Sequence, residues 1–184
     1  MPTIYDCAVR SFEAAAAVLM SLQQQRTNLV AEAGRCLDGK PKMLLDEGYN
    51  ALASKVGICI PEDARAEFAQ SEDGQGLEFR NSGMTWMTIE GQLPETEDEG
   101  TCYLDARASF PAPAIADVFL REFKADGSIA DSLHQEWVLG AHRESLCSLT
   151  LPPSAKGVNG RRIIIHLRQP PLRFSFENLA LTVV

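Results

Sequence analysis

RRIIIHLRQPPLRFSFENLALTVV, residues 161–184, decides the fold. Three consecutive isoleucines, Ile163 to Ile165, precede the double proline Pro170–Pro171, and Phe174, Phe176 and the alternation Leu179, Leu181, Val183 follow it. β-Branched and aromatic residues at a two-residue period fit a pleated surface with one buried face. The stretch therefore predicts two paired strands of a sheet. Proline between strand ends is tolerated there, because no ladder hydrogen bond depends on its missing N–H.

The same pattern extends backward to about residue 74. Short runs rich in β-formers, bounded by turn residues, read as strands at 77–80, 84–90, 101–109, 116–124, 134–139, 144–150, 161–168 and 173–184. The Ala-Asp-Gly at 125–127 is hairpin-like, whereas PPSAKGVNG and QPPL would break any helix. Eight short strands in ~110 residues is the count of a two-sheet β-sandwich or jelly roll.

Before residue 71 the period differs. Val9, Phe12, Ala16, Leu19, Leu22, Leu29, Val30, Ala33 and Leu37 recur every three or four residues, the mark of an amphipathic helix from about Asp6 to Leu37. Thr3 and Asp6 fit a capping box at its start, and Gly39 and Pro41 fit its end. A second helix is expected from Pro41 to about Val56, and a short third one opened by Pro61, Glu62 and Asp63. The expected fold class is thus α+β: a helical hairpin with a short third helix over residues 1–70, then an antiparallel β-sandwich or jelly roll over 74–184.

Composition narrows the function. With 184 residues, 45% hydrophobic and 23% charged, the chain matches an ordinary globular protein. The net charge of -8 argues against a surface that neutralises phosphates, so no nucleic acid partner is expected. No run approaches the ~18 apolar residues of a membrane span. The first residues, with Asp6 and a single early cation at Arg10, make a poor signal peptide, and the five scattered cysteines show no metal or disulfide spacing. The expectation is a cytoplasmic protein, alone or within a larger particle.

The order of features, a tryptophan strand, YLDARASFPAPAIADVFLREFKADGS, LTLPP, RIIIHLR and FSFENLALT, resembles the galactose-binding-like β-sandwich found in many carbohydrate-binding modules. In that family the last strand carries an aromatic, then an acid and Asn before alternating apolar positions, and Phe176, Glu177, Asn178, Leu179 and Leu181 match it. The resemblance covers about residues 74–184 and implies non-enzymatic binding, usually of a sugar. Sugars are held by an aromatic ring on their C–H face and by polar side chains that replace water at each hydroxyl. Candidates are Trp86, Tyr103 and Trp137, with Arg107, Arg121, Glu122, Gln135 and Arg168 as polar neighbours. The competing reading makes the tryptophans core and the polar residues a solvated face.

Catalysis has no sequence support: GxSxG, P-loop and GxGxxG motifs are all missing, and His134, His142 and His166 lack ligand spacing. No cofactor is expected; the acidic loop LPETEDEG, 93–100, could offer carboxylate oxygens to a structural calcium, but without DxDxDG spacing the solvated loop is the preferred reading. The helical segment offers a second function. A helix with surplus apolar surface must cover it on the sandwich or on another copy, so Phe12, Leu19, Leu22 and Leu29 are candidate residues for a homo-oligomer contact. A structural subunit whose sandwich contacts protein partners, like a virion or phage-like decoration protein, is the alternative to a carbohydrate-binding head.

Overall fold

A computed structural model describes residues 3–72, 74–140 and 143–184. The described residues begin with helix α1 (Ile4–Gln25), the short strand β1 (Arg26–Asn28) and helix α2 (Leu29–Arg35). Four short strands follow: β2 (Met43–Leu45), β3 (Gly48–Ala53), β4 (Val56–Ile60) and β5 (Ala66–Gln70). Then come β6 (Leu77–Asn81), β7 (Trp86–Leu93), β8 (Gly100–Ser109), β9 (Ala114–Lys124), β10 (Ile129–Leu139), β11 (Arg143–Leu151), β12 (Val158–Arg168) and β13 (Arg173–Val183).

The strands form two antiparallel sheets. In the seven-stranded sheet the order is β11-β8-β13-β6-β5-β2, with β1 also on β13; in the six-stranded sheet it is β10-β9-β12-β7-β4-β3. Alternate residues of both sheets meet in one core, including Phe68, Leu104, Phe176, Met87, Leu120, Ile163 and Ile165. The eight strands expected after residue 74 are present within a few residues of their expected bounds. The double proline, however, does not join paired strands: β12 lies between β7 and β9, whereas β13 lies between β6 and β8 in the other sheet. It marks a crossing between layers, held where Asn81 donates to the Pro171 carbonyl at 2.6 Å.

The N-terminal third differs from expectation in three places. The capping box is present, with Thr3 and Asp6 exchanging hydrogen bonds, but the helix stops at Gln25. Three extended residues then pair with β13, and Asn28 caps α2 by accepting from the Ala31 amide at 3.0 Å. The expected second helix is instead strands β2 and β3 and the start of β4, and no third helix follows Pro61. The segment 43–70 thus belongs to both sheets.

Helix α2 closes one side of the sandwich. Leu29, Val30 and Ala33 are buried among Val56, Ile58, Leu77, Phe79, Phe176 and Leu179, drawn from both layers. Leu29, a candidate for contact between copies, is only 1% exposed and is core instead. By contrast α1 has no buried residue at all.

At one end of the core the buried Arg161 ties the connections together. Its guanidinium donates to the Pro152 carbonyl at 2.7 Å and to Thr96 and Ser154 hydroxyls at 3.2 Å, and Glu122 stands 3.3 Å from its Nε. This network holds the 94–99 and 152–157 loops. Among the described residues no three His, Cys, Asp or Glu side chains converge as metal ligands, and no helix is long and apolar enough to cross a membrane.

Candidate functional site

The outward face of the six-stranded sheet gathers the chemistry. Along β9 the sequence Asp117-x-Phe119-x-Arg121-x-Phe123 alternates with Ala116, Val118 and Leu120, which are fully buried in the core. The two-residue period therefore sends the first four side chains outward. Register places His166 of β12 beside Asp117, and Arg162 beside Arg121. On the far side of β12, β7 places Trp86 beside Arg168, Thr88 beside His166 and Glu90 beside Ile164. Cys59 of β4 pairs with Thr88, and Tyr49 of β3 pairs with Cys59, so a continuous row of side chains crosses the sheet.

Neither helix lies over this face, since α2 sits between the layers and α1 buries none of its residues. Its midline is nonetheless buried: Ile164 is 0%, Glu90 4% and Thr88 7% exposed. Long side chains on either side wall them in. The Arg162 guanidinium lies 4.4 Å from the Tyr49 ring centre and 4.7 Å from that of Phe123, and donates to Glu90 at 2.9 Å. Thr88 donates to the other Glu90 oxygen at 3.1 Å. Beneath Tyr49 lies Gly57, where any Cβ would run into the tyrosine ring. A glycine is required there for the ring to lie flat on the sheet.

Two more ion pairs complete the face. Arg121 grips Asp131 through two bonds of 2.8 and 2.7 Å and lies over Phe119, on which His134 also stacks at 4.7 Å. Arg168 grips Asp117 in the same forked way, with Nε at 2.6 Å, and reaches Glu136 at 3.3 Å. His166 stands 3.5 Å from Asp117 and tilts against Trp86. These contacts set the charge states. Arg168, then His166, hold the Asp117 carboxyl below its usual range despite partial burial, and Arg121 does the same for Asp131. Burial, with Glu90 adding to it, pushes the Cys59 thiol up, so it stays protonated; burial likewise raises the Tyr49 phenol.

Of the candidates read from sequence, Trp86, Arg121 and Arg168 share this face. Tyr103 and Arg107 project from β8 on the outside of the other sheet, where Arg107 pairs with Glu177 at 2.9 Å. Trp137 is core rather than a ligand contact: it is 3% exposed, and its indole N–H donates to Ser145 at 2.6 Å. Glu122 faces the core side with Arg161, and Gln135 pairs with Val118 and so turns away from the Asp117 row. His142 lies outside the described residues. Tyr49, Glu90, Asp117, Phe119, Phe123, Asp131, His134, Glu136, Arg162 and His166 complete the face, and none of them is a candidate on sequence grounds. The alternation in DVFLREF is the available signal for β9; Tyr49 is hidden because its segment satisfies helical spacing.

Chemically, the arrangement offers aromatic planes beside fixed donors and acceptors, with no activated nucleophile. Such a surface suits hydroxyl-rich ligands, whose C–H faces stack and whose oxygens need partners.

No protein-family model and no curated protein matches this sequence. Solved structures do match its fold. The CBM22-1–GH10 modules of Clostridium thermocellum endo-1,4-β-D-xylanase 10B, complexed with xylohexaose, align at TM-score 0.51 and 9% identity over 85% of this chain and 28% of that one. The C-terminal family 22 carbohydrate-binding module of the same organism's Xyn10B aligns at 0.49 and 10% identity, covering 85% and 91%. A family 11 module of the C. thermocellum cellulase Lic26A-Cel5E aligns at 0.43 and 15%, covering 75% and 96%. The likeness is one of fold, a carbohydrate-binding-module-like β-sandwich.

Proposed function

We propose that the protein is a non-catalytic binding module that recognises a carbohydrate on the outer face of the six-stranded sheet. The observation that carries this reading is the row of Tyr49, Phe123 and Trp86 interleaved with Arg162, Arg121 and Arg168, each arginine fixed by a carboxylate. Preset donors spare the ligand the entropic cost of ordering them. A fold like that of a xylanase whose CBM22-1 and GH10 modules are complexed with xylohexaose is compatible with a saccharide ligand.

A glycan array of the full chain, with xylans and mixed-linkage glucans included, tests it. Selective binding that drops at least tenfold in Tyr49→Ala and Trp86→Ala, while Tyr103→Ala binds normally, is the expected result. Binding retained in both variants would move the site elsewhere, and a blank array would leave the protein a structural subunit. That second reading has its own observation, the wholly exposed helix α1, on which Phe12 and Leu19 are 78% and 66% exposed and Leu22 36%. We read α1 as an assembly surface that accompanies the binding face rather than replacing it.

A further inference from the structure

None of the residues that line the cavity at the foot of helix α1 belongs to the row of side chains on the six-stranded sheet. On α1, Tyr5, Ala8, Phe12, Ala15, Leu19 and Leu22 recur at a strict three-four spacing, a heptad row. Asp6, Arg10 and Glu13 fall outside that row. Every residue of the row is exposed or nearly so, from 36% at Leu22 to 78% at Phe12 among its large members. The row is open along most of its length and least so at Leu22, its foot.

The sizes along the row choose the partner's direction. A parallel pair would set Phe12 against Phe12 and leave Ala8 against Ala8 and Ala15 against Ala15, alternately crowded and hollow. An antiparallel pair centred between Glu13 and Ala14 sets Phe12 against Ala15 of the second copy, Leu19 against its Ala8 and Tyr5 against its Leu22. Every alanine then receives a large side chain, as close packing requires. Such a contact is isologous and closes at two copies.

The same superposition brings the tip of one helix to the foot of the other. Ile4, 92% exposed, then stands level with residue 23 of the second copy. Beside that point lies a cavity of about 660 Å³ whose lining is more apolar than polar and includes Gln24, Gln25, Lys55, Leu93, Leu181 and Val183. A helix of this length is about 33 Å long, and its single stripe is a narrow interface against the roughly 800 Å² per partner that stable pairs bury. Seating the tip over the cavity widens it. We infer that α1 pairs antiparallel with α1 of a second copy, each N-terminal tip docking at the other's cavity. The inference rests on the assembly reading of α1 and is independent of saccharide binding.

The experiment uses the full chain with Cys7→Ser, since Cys7 is the exposed thiol. Sedimentation should give a dimer that Phe12→Asp returns to monomer, with the melting temperature unchanged at dilutions where both proteins are monomers, because α1 has no buried residue. Ala8→Cys and Leu19→Cys proteins, mixed and mildly oxidised, should cross-link to each other and not to themselves. Ile4→Asp should weaken association at least tenfold. A cross-link of Ala8→Cys to itself would overturn the antiparallel arrangement while leaving α1 an assembly surface. An unchanged affinity in Ile4→Asp would remove the cavity from it, and a monomer at every concentration would end both the inference and the assembly reading.

Discussion

Glu90 shows how one side chain organises the outer face of the six-stranded sheet. At 4% exposure its carboxylate is costly to bury, and it is stabilised by donors from Thr88 and Arg162. Through Arg162 it also fixes the Tyr49 and Phe123 rings. Glu90→Gln keeps the shape but replaces a charged acceptor by a neutral one, so it should cost about 1–3 kcal/mol in chemical denaturation. It should also loosen the Tyr49 stack, and saccharide affinity should fall with stability; normal affinity in a destabilised variant would mean the stack plays no part in binding. Asp117 makes the face sensitive to acid. Its folded pKa lies below the unfolded value of 3.8 because Arg168 favours the charged form. The resulting stability is fully present above the unfolded value and is lost as pH falls through the folded one. Melting temperature should therefore hold from neutrality to about pH 5 and decline below about pH 4, and Asp117→Asn should flatten part of that decline. An identical acid slope in the variant would assign the loss to other carboxylates.

At the scale of elements, α2 acts as a peg between the sheets. Leu29 packs against Gly91, where an added Cβ would strike Leu181 as well. Leu29→Ala should thus open a cavity in a site with no room to relax and cost about 2–5 kcal/mol, whereas Leu19→Ala on the exposed α1 should leave the melting temperature of monomeric protein unchanged. A loss below about 1 kcal/mol at Leu29, well under that range, would show that α2 is dispensable to the core. The elements differ in how far their residues announce them. Strands β6 to β13 are legible because their core positions alternate over eight or more residues in most cases, long enough for the period to be unambiguous. Residues 43–60 are not, since β2, β3 and β4 are three, six and five residues long and their alanines and leucines also satisfy helical spacing. The signals that matter there are glycines: Gly48 at φ +78° begins β3, and Gly57 makes room for Tyr49. Likewise Asn28 is readable as a cap, yet the apolar run on both sides of it suggests one continuous helix. The candidate site is half legible for a related reason. Ile163, Ile164 and Ile165 are all fully buried, so apolarity alone does not tell the core side of β12 from the side walled in by Arg162 and Phe119.

For the whole molecule, the decisive question is where the folding unit begins. Strands β4 and β3 complete the six-stranded sheet beside β7, and β5 and β2 complete the other beside β6. A chain starting at residue 72 would lose all four together with α2. Ile89, Leu77, Phe79 and Phe176 would then face water, and β6 and β7 would become bare apolar edges, a template for aggregation. A chain of residues 26–184 keeps every strand and α2, and it omits only a helix with no buried residue. The 72–184 fragment is expected to be insoluble or to lack a cooperative transition, and the 26–184 chain to melt within a few degrees of the full one. Saccharide binding by the 26–184 chain should match the full chain for a single site but weaken on a glycan-coated surface, because two linked copies engage such a surface together. Equal surface binding by both would mean that α1 adds no valency, and a folded, binding-competent 72–184 fragment would show that β2 to β5 are additions to a smaller autonomous sandwich.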